Sequence, residues 1–300
     1  MSLNIKNETD QLVSVILGVA DDMVQKQSLE DCIDPKTREN ILNKTFPTQE
    51  SCVEEIEKFC EVLTNYDVEV LRPNIIQNLN QIFTRDIGFV IDNKFFVPEI
   101  IEQRNTEKDG IKYFIDNLDG EEKIMLPNSI KVEGGDVIVH NEFLFIGYSN
   151  SNLKVSRTTS ESIKYFQDHF PDKEVIGFEM IKDDTNPYES ILHLDCAMQP
   201  VGRDKIIIYE EGFENIDDIK KIKKIFGKKN LIFIDRKEMY EGNSNIFSIN
   251  EEIVVSDPTF TRLNNILKDH KIITEKVYYR EISKFGGLFR CSTLPIKRNP

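Results

Sequence analysis

Four stretches of the chain share one arrangement of apolar and polar positions: a short apolar run, a tight polar turn and a second apolar run rich in β-branched and aromatic residues. Residues 88–91 turn at Asp92-Asn93 into 94–97; 137–139 turn at His140-Asn141-Glu142 into 143–146; 198–202 turn at Arg203-Asp204 into 206–209; and 246–249 turn at Asn250-Glu251-Glu252 into 253–255. Tight polar turns between such runs predict β-hairpins. Between the hairpins the apolar residues take helical spacing, as in Ile163, Phe166, Phe170, in Ile216, Ile219, Ile222, Phe226, and in Leu263, Ile266, Leu267. The hairpins recur roughly every 50 to 60 residues, which predicts a repeated ββα unit. The apolar run 13–18, the helix-like stretch 54–63 and a C-terminal strand beginning near Cys291 complete a fifth unit, so that five modules can close into a ring without free sheet edges. An α+β domain with unrelated hairpins is the plainer alternative.

The composition narrows the class. At 300 residues the chain can bury a substantial core. Its polar stretches, such as 104–110 and 149–162, are too short and too interrupted by apolar residues to be linkers, so one continuous domain over 1–300 is expected. No basic segment followed by an apolar run opens the sequence, and nowhere do apolar residues run together long enough for a membrane span; a cytoplasmic protein without membrane partners is expected. Five cysteines without a CxxC pair argue against a disulfide framework and a structural zinc site. The formal charge of −14 disfavours nucleic acid, which needs a basic face, and suits a cationic small molecule.

The candidate chemistry falls at one place in the repeat. Asp86 leads the first hairpin, Glu133 and Asp136 the second, His193 and Asp195 the third, Asn243 and Asn245 the fourth, and Cys291, after the pair Gly286-Gly287, opens the last strand. In a ring of equivalent modules, equivalent positions face the shared axis, so residues scattered over the chain would line one pocket. Each has a plainer reading. A lone thiol is commonly a small buried hydrophobe; Asp86 after Arg85 could be a surface ion pair; Glu133-Gly134-Gly135-Asp136 could be a mere turn; and His193, in a largely apolar strand pattern, could be a core histidine. Their recurrence in phase favours the pocket. His140, His169 and His270 do not repeat the phase. Cys196 is the rival thiol, and in an extended segment it would point away from Asp195 into the core.

Phe83-Thr84-Arg85-Asp86, Glu133-Gly134-Gly135-Asp136, His193-Leu194-Asp195 and Gly286-Gly287 ahead of Cys291, in that order, resemble the motifs of the guanidino-group modifying enzymes of the pentein fold: arginine deiminases, dimethylarginine dimethylaminohydrolases, agmatine deiminases and amidinotransferases. The resemblance runs from about Val13 to Arg298. It implies a five-bladed α/β propeller of ββαβ modules with pseudo-fivefold symmetry, in agreement with the repeat. It also implies that Asp86 and Asp195 grip the substrate guanidinium, since paired carboxylates match its fork. Cys291 is then the thiolate nucleophile, His193 the acid and base, and Glu133 the group that orients His193. Asn80, six residues before Asp86, matches a substrate-contacting asparagine of the deiminases.

The expected activity is a cysteine hydrolase that attacks the guanidino group of an arginine-like compound. A covalent amidino-thioether would give ammonia or an amine and a ureido product, with no cofactor and no metal. An amidinotransferase that passes the amidino group to an acceptor amine is the alternative, and a homodimer is compatible with the family. Aspartate at 195 stands where dimethylarginine hydrolases carry lysine, which implies a site for an unmethylated guanidino nitrogen. Glycines at 134 and 135 differ from the transferase pattern Asp-Ala-Ala-Asp, which favours a hydrolase. The carboxylate-holding arginine that deiminases carry after the second hairpin is absent from residues 147–152, and Lys284-Phe285 replaces a second one before the glycine pair. A silent binding module of the same fold is disfavoured by the complete set of reactive residues.

Overall fold

The computed structural model describes residues 2–25 and 27–300. Among them are five three-stranded sheets, each built on one plan: a central strand paired antiparallel on one side and parallel on the other. In the second module Phe89–Ile91 pairs antiparallel with Lys94–Val97, which pairs parallel with Lys123–Met125. The third has Val137–His140, Phe143–Tyr148 and Glu174–Glu179. The fourth has Met198–Val201, Lys205–Ile208 and Leu231–Phe233. The fifth has Phe247–Ser248, Ile253–Ser256 and Ile273–Lys276. All four predicted hairpins form, and Asp92 and Asn141 take the left-handed conformation their tight turns demand (φ 52° and 55°).

The first module closes the ring. Its central strand, Gln11–Leu17, pairs parallel with Glu69–Leu71 and antiparallel with the C-terminal strand Thr293–Asn299, from Gln11↔Asn299 to Leu17↔Thr293 with the register shifting around Ser14. The chain's last strand thus does for module one what the first hairpin strand does in every other module. This is the pentein arrangement of five ββαβ blades.

Each parallel strand needs a crossover, and amphipathic helices supply it. The crossovers are Gln49–Asn65, Glu161–His169, Ile216–Phe226 and Thr261–Asp269; in the second module a 3₁₀ run, Glu102–Ile111, leads into the short helix Lys112–Asp116. Gln49–Asn65 buries Cys52, Ile56, Phe59 and Leu63 on one stripe, and its first turn is capped by Thr48, whose hydroxyl accepts from the Ser51 amide. Ile216–Phe226 buries Ile219, Ile222 and Phe226 of the predicted periodic set, while Ile216, the first of it, is exposed at the helix start. Two elements carry no clear apolar period: the helix Pro35–Leu42 and the 3₁₀ run Glu102–Ile111, which was read only as a polar stretch. Among the described residues no helix is long and apolar enough to cross a membrane.

Residues 191–196 differ from the expected strand. His193 is extended, but Leu194–Cys196 form a single 3₁₀ turn, and the strand starts only at Met198. The hydrogen bonds from the amides of Cys196 to the His193 carbonyl and of Ala197 to that of Leu194, both 2.9 Å, win over the alternating apolar pattern.

Candidate active site

A short turn precedes the first strand of each sheet, and the reactive residues sit on these turns. Asp86 precedes Phe89–Ile91, Glu133 and Asp136 flank the glycines before Val137–His140, His193 and Asp195 precede Met198–Val201, Asn245 precedes Phe247–Ser248, and Cys291 precedes Thr293–Asn299. Asp86, His193 and Cys291 line one cavity of about 410 Å³, together with Asn80, Phe83, Arg104, Glu107, Arg157 and residues of the segment 24–46. Glu133 and Asp195, both fully buried, stand directly behind that wall.

Glu133 Oε2 lies 2.8 Å from His193 Nε2, and His193 Nδ1, which has no other partner, lies 3.6 Å from Asp86 Oδ1. Asp86 accepts from the Gly135 amide (3.1 Å) and from Arg104 Nη1 (2.6 Å). The glycine is required by the packing. A Cβ at Gly135 would come within 2.7 Å of His193 Nδ1 and 2.9 Å of Asp86 Oδ1, so any side chain there would push imidazole and carboxylate apart. The segment is therefore more than a surface turn. Arg85 does not form the simple surface pair with Asp86 either; it is buried and donates from Nε to the Arg290 carbonyl (3.2 Å).

The thiol is set by its turn and by Asn245. Gly286, with φ of +85°, ends the 3₁₀ turn Ile282–Phe285 in a left-handed cap. Asn245 Oδ1 then accepts from the amides of Leu288 (3.0 Å) and Cys291 (3.1 Å), while its Nδ2 lies 3.1 Å from Cys291 Sγ. Asp195 Oδ2 is 3.7 Å from the same sulfur and accepts from Arg290 Nη1 at 2.8 Å. Cys196 is half-buried and outside the main cavity, its Sγ 3.6 Å from Asp195 Oδ1. The 3₁₀ turn keeps Cys196 beside the Asp195 carboxylate and half-buried, where the expected extended segment would have pointed it away from Asp195 into the core.

Electrostatics separate the groups. Burial pushes the Cys291 thiol well above its ordinary value, and Asp195, Cys196 and Asp86 add to this, with only the Asn245 hydrogen bond opposing. Burial would lower His193, but the carboxylates of Asp86 and Glu133 outweigh it and raise the imidazole above its ordinary value. Burial would raise Glu133, but Arg157 and His193 hold it well below the usual carboxylate range. The resting site therefore sets a thiol that resists ionisation beside an imidazole that holds its proton more firmly than usual and a glutamate that favours its charged form. Asp86, Glu133 and His193 each bring one ligand-type atom within 4.8 Å of the others, but Glu133 is already paired with His193 and Arg157 and Asp86 with Arg104, so the three do not offer a free ligand set for a metal ion.

Arg104, Glu107 and Arg157, all on the cavity wall, carry no signal in the sequence pattern. Arg104 donates to both oxygens of Glu107 (2.9 and 2.7 Å) as well as to Asp86. Arg157 lies 3.3 Å from Glu133 Oε2, donates to the Ile33 carbonyl (2.7 Å) and keeps a buried, unpartnered Nε. Both arginines sit in segments that look like solvated loops, and neither repeats the hairpin phase.

Alkylation with iodoacetamide offers a direct check on the thiols. Labelling of Cys291 is expected to be slowed by a bound guanidino compound, because the sulfur faces the cavity, whereas labelling of Cys196 is not. Protection of Cys196 alone, read by peptide mass spectrometry, would transfer the reactive role to it.

The likeness to known proteins spans the whole chain. Residues 26–298 match the family model for N,N dimethylarginine dimethylhydrolase, eukaryotic. The uncharacterized protein YkgA of Bacillus subtilis (strain 168) is 29% identical over 295 residues, covering 98% of this chain and 94% of its own. Among solved structures, the N-terminal domain of ArgZ, an arginine dihydrolase from the ornithine–ammonia cycle in cyanobacteria, superposes with a TM-score of 0.80 at 18% identity over 95% of this chain and 98% of that one. SxtG, an amidinotransferase from Microseira wollei, gives 0.75 at 18% identity over 99% and 98%. The inosamine-phosphate amidinotransferase StrB1 from Streptomyces griseus gives 0.76 at 15% identity over 100% and 98%. The five-bladed fold and the family match agree: this chain belongs to the dimethylarginine dimethylhydrolase family, among the guanidino-group modifying enzymes of the pentein fold.

Proposed function

We propose that the protein is a hydrolase that acts on the guanidino group of an arginine-like amino acid, with Cys291 as nucleophile, His193 as acid and base, and Glu133 orienting His193. The observation that carries the reading is one cavity wall that joins a thiol, an imidazole in contact with a buried glutamate, and Asp86.

A guanidinium carbon is a weak electrophile, so the cation must be held planar and brought within ~3 to 3.5 Å of the sulfur. Asp86 faces the cavity, and Asp195, 3.7 Å from Sγ, lies within reach of a nitrogen on a carbon held there. The arriving cation favours the thiolate that the empty site disfavours. The S–C bond forms as the thiol gives up its proton to water; the C–N bond then breaks as the protonated His193 donates its own proton to the departing ammonia or amine. The neutral imidazole next takes a proton from water, which attacks the amidino-thioether carbon, and the ureido product leaves as the S–C bond breaks and the thiol is restored. Asn80 lines the cavity, with its Oδ1 engaged by the Ile82 amide (3.1 Å) and its amide nitrogen free to meet substrate. Arg157, on the cavity wall with one nitrogen unpartnered, favours a substrate that also carries a carboxylate.

The test is a screen of arginine, methylated arginines and agmatine, with the ureido product, ammonia and amines all quantified. Turnover of agmatine in preference to every amino acid would remove the carboxylate from the reading. Release of product only when an acceptor amine is added would make the enzyme a transferase. Asp86→Asn and Asp195→Asn are each expected to lower kcat/KM well over tenfold, since truncating one partner of a buried charge pair costs ~2 to 5 kcal/mol. The two losses should be non-additive because both carboxylates act on one bound group. Silence of both variants would put the cation elsewhere.

A further inference from the structure

We infer that Glu8, on the segment before the first strand, is a positioning residue for the reaction: it holds Arg290 so that Asp195 stays aimed at Cys291 and keeps its negative charge for the substrate. The inference rests on the reading of Cys291 as nucleophile and Asp195 as a cation-binding group.

Glu8 is 4% exposed, and Arg290 and Asp195 are fully buried. Glu8 grips Arg290 with both oxygens, Oε1 to Nη2 at 2.9 Å and Oε2 to Nε at 3.3 Å. The remaining terminal nitrogen, Nη1, reaches Asp195 Oδ2 at 2.8 Å, and the same oxygen faces Cys291 Sγ. Nη2 also donates to the Val137 carbonyl (2.9 Å), which fixes the plane of the guanidinium. Glu8 itself is held in a turn, because Asn7 Oδ1 accepts from the amides of Thr9 (2.9 Å) and Asp10 (2.7 Å).

A second carboxylate is more than Arg290 by itself needs. One carboxylate neutralises one guanidinium, and buried pairs are often replaceable by apolar packing. What the second one changes is the charge beside the sulfur. Arg290, Arg85 and Arg298 all face Glu8, and Glu8 and Asp195 are the carboxylates facing Arg290. Without Glu8, Arg290 would cancel Asp195 and oppose a cationic substrate. With Glu8 in place, Arg290 can orient Asp195 without neutralising it. The thiol is faced in turn by Asp195, Cys196 and Asp86, with His193 across the same cavity. Glu8 is held down to about 2, against an ordinary 4.5, so it stays anionic throughout the working range.

The experiment is Glu8→Gln, read by circular dichroism, by steady-state kinetics and by the pH profile of Cys291 alkylation without substrate. The expected result is a folded protein with KM raised about tenfold or more and an alkylation midpoint about one pH unit lower, because Arg290 without Glu8 offsets the Asp195 charge beside the sulfur and so favours the thiolate. A merely structural ion pair would lower the melting temperature and leave that midpoint in place. A folded variant with parental KM and parental midpoint overturns the proposal. If Glu8→Gln does not fold, the paired variant Glu8→Gln with Arg290→Met removes both charges. It should restore the midpoint towards the parental value and lower kcat through an unheld Asp195, and parental kcat would overturn the proposal. Alkylation needs no substrate. A chain that turned over no guanidino compound would sink the proposed reaction while the midpoint still decided the role of Glu8.

Discussion

Cys291→Ser is expected to lower turnover of a guanidino substrate by at least ~10³-fold, as losses of a catalytic nucleophile do, while circular dichroism and the melting temperature stay close to the parent. The thiol is already hard to ionise in the empty site, where burial and the neighbouring carboxylates raise it. In the proposed reaction it becomes a nucleophile when a cation docks against those same carboxylates. A serine hydroxyl starts from a far higher pKa, and the same cation cannot bring it within range of neutral pH. The backbone has no reason to change, since the Cys291 amide keeps its bond to Asn245 Oδ1 in the variant. The variant should still bind substrate, because neither Asp86 nor Arg157 is touched. Turnover within tenfold of the parent would remove Cys291 from the mechanism.

His193→Ala is expected to lower kcat by at least ~10²-fold, the range for loss of a positioned acid or base. Glu133→Gln should cost comparably, since the amide can keep the 2.8 Å contact to Nε2 but cannot hold the imidazolium proton by charge. The pH profile separates this from a loss of packing. The folded pKa of His193 is raised, so its acid form persists above the ordinary 6.5 and is lost as pH rises through the raised value. The alkaline limb of kcat set by His193 should therefore lie above pH 6.5 in the parent and move to lower pH in Glu133→Gln. A limb that stays in place when Glu133 is neutralised would assign it to another group. Near-normal rates in His193→Ala would mean that the proton carrier lies elsewhere.

The chain's own pattern determined the architecture. The hairpins recur in the sequence because each blade must bury a short apolar strand on both faces, and a strand of three or four residues bounded by a polar turn leaves a local signature. The phase of Asp86, Glu133, His193, Asn245 and Cys291 was legible for the same reason. Each precedes the first strand of its sheet, and pseudosymmetry turns a position along the chain into a position near the axis. The helical stripes of Gln49–Asn65 and Ile216–Phe226 were readable because burial selects one face at a 3.6-residue period.

The tertiary structure alone decided which charges share a buried contact. Arg104 and Arg157 lie in segments that read as polar loops, yet the ring folds them against Asp86 and Glu133, where the cost of burial is offset by the carboxylates they meet. The turn at Leu194–Cys196 overrode an apolar alternation that looked like a strand, because local hydrogen bonds there satisfy the backbone before the sheet begins. Glu8 and Arg290 are 282 positions apart and meet only because the C-terminal strand returns to pair with Gln11–Leu17. Periodicity reports burial, which each residue feels locally. A contact between two charges depends on where distant segments close, and no short window of sequence contains that distance.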